Sequence, residues 1–227
     1  VVVDVSNGNK KSYNIEKIES FTNPTWSPNG NTIVVSGLND GISDLYEFNI
    51  KTKDVVNLTN DEYSDMQPAF SPDGNYVYFV SDRDPRQNRL EKANLGISRI
   101  DLLSKKITNY DVFYGADNFN PQVSPDGNSI LFLSDRDGYR NMYQLDVNTN
   151  EVKQLSNYYT GISGITMYSP AISVSPTTGD IAYTYFFNGN YSIVKANTSD
   201  FNALNVDNTV DKVAGMLPPF SLLQGRN

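Results

Sequence analysis

Short apolar segments recur along the chain, and each is separated from the next by a polar stretch rich in Asp, Asn, Ser and Gly. Residues 76–80 and 129–133 are almost continuously apolar, whereas residues 44–50 and 141–146 alternate between apolar and polar side chains. Alternation with a period of two over six or seven residues predicts β-strands, and runs this short rarely form buried helices. No long helical pattern is present. The pattern therefore predicts an all-β protein.

A Pro-x-apolar-Ser-Pro-Asp-Gly motif precedes an apolar strand in each repeat. It occurs at residues 24–30, 68–74 and 121–127, and a looser copy occupies residues 170–179. The Ser before the second Pro stands at positions 27, 71, 124 and 175, which gives intervals of 44, 53 and 51 residues. A period of this length is typical of a four-stranded propeller blade.

The residues of this motif are interpreted as structural. Proline presets φ for a turn, Asp accepts a hydrogen bond from the backbone, and Gly adopts the positive φ that closes a hairpin. The aromatic position before the turn is predicted to lie in the core. The aromatic residues are Trp26 and Phe70, and the turn residues are Pro28, Pro72, Asp73, Gly74, Pro125, Asp126 and Gly127.

The repeat divides the chain into blades. Residues 1–206 are predicted to form the propeller, with the outer strands of a broken blade at 1–19 and whole blades at 23–59, 66–110, 119–156 and 168–206. Residues 207–227 form a C-terminal tail or linker. Four complete four-stranded blades and part of another make a portion of a five- or six-bladed ring. Open strand edges would be prone to association, so we expect the natural protein to be longer.

Composition excludes several kinds of site. The 227 residues include no His and no Cys, which rules out a Ser-His-Asp triad, a catalytic thiol and His- or Cys-ligated zinc within this chain. Lys and Arg number 18 against 26 Asp and Glu, a formal charge of -8. An acidic chain is a poor partner for nucleic acid or anionic lipid. No apolar run is long enough to insert into a membrane as a helix.

Taken together, the repeats resemble the TolB-like β-propeller, which is built of WD40-like or PD40 repeats. The resemblance rests on Ser-Pro-Asp-Gly, then Ser-Asp-Arg-Asp at 81–84 and 134–137, then an apolar-Tyr-x-apolar-Asp strand such as 142–146. Blade one departs from it, with Asn29 in place of Asp. The resemblance covers about residues 1–206 and implies a fold rather than a function, because propellers host many functions.

A narrower resemblance concerns residues 36–46, 58–61 and 160–165, the last of these ahead of residues 169–171. These segments look like the propeller module of large bacterial envelope proteins, in which a zincin-type peptidase-like domain lies upstream. The resemblance implies a place in the periplasm, outer membrane or cell surface of a Gram-negative-type bacterium. Any metallopeptidase chemistry would belong to the parent polypeptide, since this chain has no His.

The repeated Ser-Asp-Arg-Asp motif has a functional and a structural interpretation. It could form a site for a cation or a carboxylate-bearing ligand, and a structural calcium ion held by Asp and carbonyl oxygens is an open alternative. No EF-hand spacing supports that alternative. The structural interpretation is favoured because the motif recurs at equivalent positions: Asp82, Arg83, Asp135 and Arg136 would cap the second strand and tie adjacent blades.

Loops of unequal length are predicted to share one face of the propeller. In propeller geometry the second-to-third-strand loops and the connections between blades lie on the same side, whereas the uniform turns lie on the other. Variable loops on a rigid scaffold are common binding sites. The candidate partner-binding residues on this face are Asp61, Glu62, Asp65, Arg86, Arg89, Tyr158, Tyr159 and Met167.

Three functions remain open. The favoured one is a non-catalytic scaffold that binds a protein or peptide, or sister domains of the same polypeptide, in the bacterial cell envelope. The alternative is an accessory propeller that gates or positions substrate for a peptidase or hydrolase domain outside this chain. The third is a rigid spacer with no separable ligand. No cofactor is predicted, and no catalytic or metal-ligating residue is assigned.

Overall fold

The structure is a computed structural model that describes residues 1–15, 18–86, 94–166 and 168–214. Within these ranges the chain forms β-strands and one short 3-10 helix, Thr198–Asp200. The strands assemble into four successive antiparallel sheets of a β-propeller, preceded by a small hairpin. The predicted all-β propeller fold with four blades is confirmed.

Each blade begins at the central channel and runs outwards in chain order. Blade one contains β3 (Ser20–Trp26), β4 (Thr32–Asn39), β5 (Ile42–Asn49) and β6 (Val55–Asn57). Blade two contains β7 (Asp65–Phe70), β8 (Tyr76–Ser81), β9 (Gly96–Asp101) and β10 (Ile107–Tyr110), and blade three contains β11 (Asn118–Val123), β12 (Ser129–Ser134), β13 (Asn141–Asp146) and β14 (Val152–Gln154). Blade four contains β15 (Ile172–Val174), β16 (Ile181–Phe187) and β17 (Asn190–Ala196). Two short strands, β1 (Val2–Val3) and β2 (Lys10–Lys11), form the hairpin at the start of the chain.

The fourth blade differs from the expectation of four strands over residues 168–206. Its sheet contains three strands among the described residues, and β18 (Leu204–Val206) pairs with β14 of blade three instead. Two interactions hold the chain there. Val206 and Val210 pack against the core between blades two and three, and the Arg136 guanidinium donates to the carbonyl oxygen of Asp207 at 2.6 Å.

The N-terminal segment covers one side of blade one. Ile15 and Ile18 are buried against Ile33, Val35 and Phe48. At Gly37 the approach is so close that an added Cβ would lie 2.7 Å from the Ile18 side chain. Residues 1–19 were predicted to supply two outer strands of a broken blade, and the two strands that form there are two residues long each.

The second strands of blades one, two and three are buried on both faces. In blade two, Val77 and Phe79 face blade one, whereas Tyr78 and Val80 face blade three. This arrangement explains why these segments read as continuous apolar runs rather than as alternating ones. Each blade therefore depends on its neighbours to bury its apolar residues.

The repeated turn closes with the same hydrogen bonds in blades two and three. In blade two the Ser71 hydroxyl donates to Asp73 and accepts from the Tyr76 N–H at 2.9 Å, and Gly74 has a φ of 74°. An ideal Cβ on Gly74 would lie 3.5 Å from Pro28 of the preceding blade, an ordinary contact. Gly74 is therefore required by its backbone conformation rather than by lack of space. In blade three the Ser124 hydroxyl likewise donates to Asp126 and accepts from the Ser129 N–H, and Gly127 has a φ of 73°. An ideal Cβ on Gly127 would face Pro72, and in the looser copy one on Gly179 would face Pro125.

Trp26 is a correction to the predicted core. Phe70, the equivalent residue of blade two, packs against the apolar cluster shared with blade one. Trp26 meets no such neighbour, because the corresponding side of blade one faces the short N-terminal segment. It is 46% exposed and lines the central channel.

Blade four presents a face that the other blades bury. Ile193 is 81% exposed, whereas the residues at the equivalent position of the third strand, Leu45, Ile97 and Met142, are at most 1% exposed. The pairing of the second with the third strand has the same register in every blade, so these four residues occupy equivalent positions. The difference arises because blades two, three and four cover the earlier positions, whereas no blade in the described residues covers Ile193.

This contrast predicts different costs for equivalent substitutions. Met142→Ala should lower the free energy of unfolding by about 2–5 kcal/mol, because it leaves a cavity between blades three and four. Ile193→Ala should change it by less than about 0.5 kcal/mol, because the side chain is exposed. Urea unfolding followed by tryptophan fluorescence measures both values. Equal losses in the two variants would show that Ile193 is buried in solution.

Candidate functional site

The loops of unequal length do share one face, which we call the variable face. It carries the second-to-third-strand loops and the connections between blades. The Ser64 N–H donates to the Asp82 carboxylate at 2.8 Å, and the Asp117 N–H donates to Asp135 at the same distance. Asp82 and Asp135 thus each join the loop after the second strand to the segment that enters the first strand of the same blade.

An acidic cluster surrounds Arg83 at the junction of blades one and two. The guanidinium bonds to the carboxylates of Asp61 and Asp65 and also donates to the Ser81 hydroxyl at 2.7 Å. It lies over the ring of Tyr63, 5.0 Å from the centroid. Arg83 is buried, so its charge is compensated within the protein rather than by water.

A third carboxylate lies close to this pair. Oxygens of Asp44, Asp61 and Asp65 all fall within 4.8 Å of one another. Asp44 accepts hydrogen bonds from Asn57 at 2.8 Å and Thr59 at 3.1 Å. Carboxylate oxygens are the ligands that calcium prefers. Here the Arg83 guanidinium already bonds to two of the three groups and so supplies positive charge to the cluster.

Burial dominates the protonation of Asp65. The side chain has no exposed surface, and its Oδ2 has no hydrogen-bond partner among the described residues. Burial raises the pKa of Asp65 to about 6, although the hydrogen bond and charge of Arg83 act in the opposite direction. Asp65 was predicted to contact a partner, and this is wrong: a residue without exposed surface serves the interior of the fold.

Arg136 uses the equivalent position of blade three differently. Its guanidinium lies 4.6 Å from the Phe113 ring centroid and bonds to Asp137 as well as to the tail at Asp207. Asn118 replaces the buried Asp65, so no buried carboxylate is available there. The repeated Arg therefore ties together loops, and in blade three it anchors the segment that follows β18.

The remaining charged candidates differ in whether they are exposed or held in ion pairs. Glu62 is exposed, whereas Asp61 is held by Arg83. Arg86 bonds to Asp111 at 3.0 Å and lies 4.0 Å from the centroid of the Tyr114 ring, which links the blade-two loop to the connection between blades two and three. Arg89 lies outside the described residues.

The aromatic segment between blades three and four is partly anchored and partly exposed. Tyr158 packs against Tyr183 and Tyr185, and its hydroxyl lies 3.0 Å from that of Tyr183. Tyr159 is 74% exposed, and Ile165 is fully exposed. Met167 lies outside the described residues. Tyr158 thus anchors the segment, and Tyr159 and Ile165 expose apolar surface to solvent.

The first strands contain a repeated feature that the sequence reasoning missed. Asn23, Gln67 and Asn120 have φ between 50° and 54°, and the register of each first strand shifts at this position. The side-chain Oε1 of Gln67 accepts from the Asn120 N–H at 2.7 Å, and the side-chain Oδ1 of Asn120 accepts from the Ala171 and Ile172 N–H groups at 2.7 and 2.8 Å. An amide side chain before the first Pro of each complete motif is the signal that could have found it.

These first strands surround the central channel. The cavity has a volume of about 800 Å³ and is lined by residues that include Trp26, Phe70, Gln122 and Ile172. Its wall combines aromatic rings with amide groups and contains no Asp, Glu, Lys or Arg among the lining residues. The channel can therefore accommodate an uncharged peptide segment, but it offers no acid–base pair.

Comparison with known proteins agrees with this architecture. Residues 1–106 match the family model of the TolB beta propeller domain, PD40. The crystal structure of TolB from Acinetobacter baumannii superposes with a TM-score of 0.64 at 21% identity over 82% of this chain and 43% of that one. The family model therefore matches the first two blades, and the chain has the fold of a TolB-like β-propeller.

Two further similarities concern sequence and fold. The Tol-Pal system protein TolB of Francisella tularensis subsp. mediasiatica is 30% identical over 66% of this chain and 32% of its own length. A puromycin-hydrolyzing peptidase of Mycobacterium tuberculosis superposes with a TM-score of 0.60 at 13% identity over 82% of this chain and 31% of that one. The chain spans about half the length, or less, of the relatives that it matches. Among the described residues, no helix has the length and hydropathy to cross a bilayer.

The raised pKa of Asp65 predicts a specific pH dependence. Because the folded protein holds the Asp65 proton more tightly than the unfolded chain does, this residue's contribution to stability should fall as pH rises from about 4 to about 6. The free energy of unfolding of the wild type, relative to that of Asp65→Asn, should therefore decrease over this window and level off above it. Urea unfolding at each pH measures the difference. A relative gain with rising pH would mean that the ion pair with Arg83 outweighs burial.

Proposed function

We propose that this propeller is a non-catalytic scaffold that binds a protein or peptide through its variable face, in the envelope of a Gram-negative-type bacterium. The observation that carries the proposal is the contrast between the two faces. The variable face presents the exposed side chains of Tyr159 and Ile165 on an anchored segment. The opposite face consists of turns whose polar groups bond to one another. Exposed aromatic and apolar residues on a rigid base are typical of binding surfaces.

The similarity to TolB supports the partner class and the compartment. TolB proteins share this fold, and the Francisella protein is named as part of the Tol-Pal system. The partner would be a protein, a peptide or a sister domain of the same polypeptide.

The proposal predicts that substitutions on the two faces have different effects. Tyr159→Lys with Ile165→Lys should reduce capture of the partner by the immobilised propeller from an envelope extract at least tenfold, because buried apolar contacts become charged. Capture is quantified by mass spectrometry for each protein that the wild type enriches.

A control with the same chemistry is available on the opposite face. Leu103 is 95% exposed in the turn between β9 and β10, and this turn lies beside the repeated turn, because the Leu102 N–H donates to the Asn75 carbonyl. Leu103→Lys should leave capture unchanged. Equal loss from the Leu103 variant, or undiminished capture by the Tyr159 and Ile165 variant, would contradict the choice of face.

A second function is favoured by the similarity to the peptidase propeller. In this role the chain would gate or position substrate for a peptidase or hydrolase domain outside residues 1–227. The open channel of about 800 Å³ could admit an extended peptide. Kinetics of the full-length protein with peptides of increasing bulk distinguish the roles: a gate predicts that Trp26→Ala, which widens the channel, raises kcat/KM for bulky peptides, and a scaffold predicts no change.

A further inference from the structure

A small cavity lies between blades two and three, beside the connection that leads into β11. It is lined by Asp84 and Pro85, by residues 94–96, and by Tyr110, residues 112–116 and Asn118. Its volume is about 20 Å³, which is enough for one ion or water molecule, since that requires about 10–15 Å³. The cavity shares no lining residue with the central channel.

Two oxygen atoms of the lining residues have no hydrogen-bond partner among the described residues. They are Oδ2 of Asp84 and Oδ1 of Asn118, and both atoms are buried. Asn118 is 1% exposed, and its side-chain amide donates to the Val112 carbonyl at 3.1 Å, which fixes the orientation of the amide. A buried acceptor without a partner destabilises the folded state, and a charged acceptor does so more strongly. The cavity is therefore suited to a ligand that interacts with oxygen atoms.

The equivalent position of blade two contains a cation that belongs to the chain. Asp65 and Ser81 face each other across the first and second strands of that blade. The Arg83 guanidinium donates to both of them. The register of blade three places Asn118 and Ser134 in the same relation. The repeat therefore predicts a positive charge beside Asn118.

Arg136 does not supply this charge in blade three. Its guanidinium lies over the Phe113 ring and bonds to Asp137 instead. The Ser134 hydroxyl, like Asn118 Oδ1, is buried and has no partner in the part of the chain that the structure describes. The oxygens that Arg83 satisfies in blade two thus have counterparts in blade three that no described side chain satisfies.

A glycine leaves the space for a ligand. Leu45 and Ile97 occupy equivalent positions of the third strands, so the residues before them, Asp44 and Gly96, are equivalent as well. The Asp44 carboxylate lies in the cluster around Arg83, whereas Gly96 has no side chain and lines the cavity. Between blades two and three the side chains that fill this region in the preceding pair of blades are therefore missing.

Asp84 provides the negative charge of the cavity. Its Oδ1 accepts from the backbone N–H of Arg86 at 2.8 Å, whereas the Arg86 guanidinium bonds to Asp111. Asp84 forms no ion pair with any described residue. A cation in the cavity would compensate this carboxylate as well as satisfy the two unpaired oxygens.

We propose that this cavity binds one calcium ion through Oδ2 of Asp84 and Oδ1 of Asn118. Carboxylate, amide and backbone carbonyl oxygens are the ligands that calcium prefers. The backbone carbonyls of the lining segments can complete the set, because a carbonyl that accepts one hydrogen bond keeps a second lone pair. Magnesium keeps several of its waters, for which a cavity of about 20 Å³ has no room. The ion would join the loop after β8 to the start of β11, and so hold blade two to blade three.

The test is a titration of the full chain, freed of metal by a chelator, with calcium chloride, magnesium chloride and sodium chloride at constant ionic strength. In NMR spectra, calcium should shift the side-chain amide resonances of Asn118 and the backbone resonances of Gly96 and Gly115. The dissociation constant should be on the order of 0.1–1 mM, because the site has a single carboxylate. Magnesium and sodium should bind at least tenfold more weakly.

Three variants assign the effect to the cavity. Asp84→Asn keeps the acceptor for the Arg86 N–H but removes the charge, and it should weaken calcium binding at least tenfold. Asn118→Asp adds a second carboxylate and should tighten binding at least threefold. The matched control is Asp137→Asn, because Asp137 is the repeat equivalent of Asp84 but already bonds to the Tyr143 hydroxyl at 2.9 Å and to Arg136. It should leave calcium binding unchanged.

The gain expected from Asn118→Asp keeps the test decisive, since a misfolded variant would lose affinity rather than gain it. Absence of any calcium-dependent shift at Asn118 would overturn the proposal and leave the cavity to a water molecule. Sodium or magnesium binding as tight as that of calcium would also overturn it. So would undiminished binding by Asp84→Asn, no gain in Asn118→Asp, or an equal loss in Asp137→Asn.

Discussion

The packing of one blade against the next is the interaction on which the rest of the structure depends. The second strands of blades one, two and three are apolar on both faces, so they are stable only when a neighbour covers each side. The cluster between blades two and three shows the result, because Tyr78, Phe132 and Tyr143 are almost entirely removed from solvent there. A blade of this composition could not bury its apolar residues alone. The loops of the variable face take their positions from this stacking.

Polar interactions between neighbouring blades fix how one blade is aligned with the next, in addition to the packing of the apolar faces. Gln67 and Asn120 each extend an amide from a residue of positive φ to the backbone of the next blade. The bulge at this position frees backbone donors that would otherwise remain in the ladder, and the amide satisfies them. Arg83 and Arg136 lie in the loops of the variable face of the same blades, where they hold the connections between blades. The residues most conspicuous in the sequence thus serve mainly to fix the frame.

The sequence was sufficient to predict the blades because the repeat couples turn chemistry to strand periodicity. Ser71, Asp73 and Gly74 form the turn that their residue types require, and the two-sided apolar strands lie where the continuous runs predicted them. The destination of β18 could not be predicted in this way. Its three residues carry no distinctive pattern, and its pairing with β14 depends on contacts of Val206 and Val210 with distant parts of the chain. The local sequence pattern was insufficient where tertiary contacts determine which strands pair.

The candidate site was predicted less completely than the fold, for a related reason. The common location of the loops followed from topology and was found in the structure. The exposure of single residues did not follow: Asp65 is buried and Trp26 is exposed, because each depends on whether a neighbouring segment covers it.

Native-state hydrogen exchange followed by mass spectrometry tests the central claim, that stability resides in the interfaces between blades, most directly. The account predicts the strongest protection in the second and third strands of blades two and three, β8, β9, β12 and β13, which have a blade on each side. It predicts the weakest protection among the long strands in β17, which is covered on one face. Protection of β17 equal to that of β13 would contradict the claim.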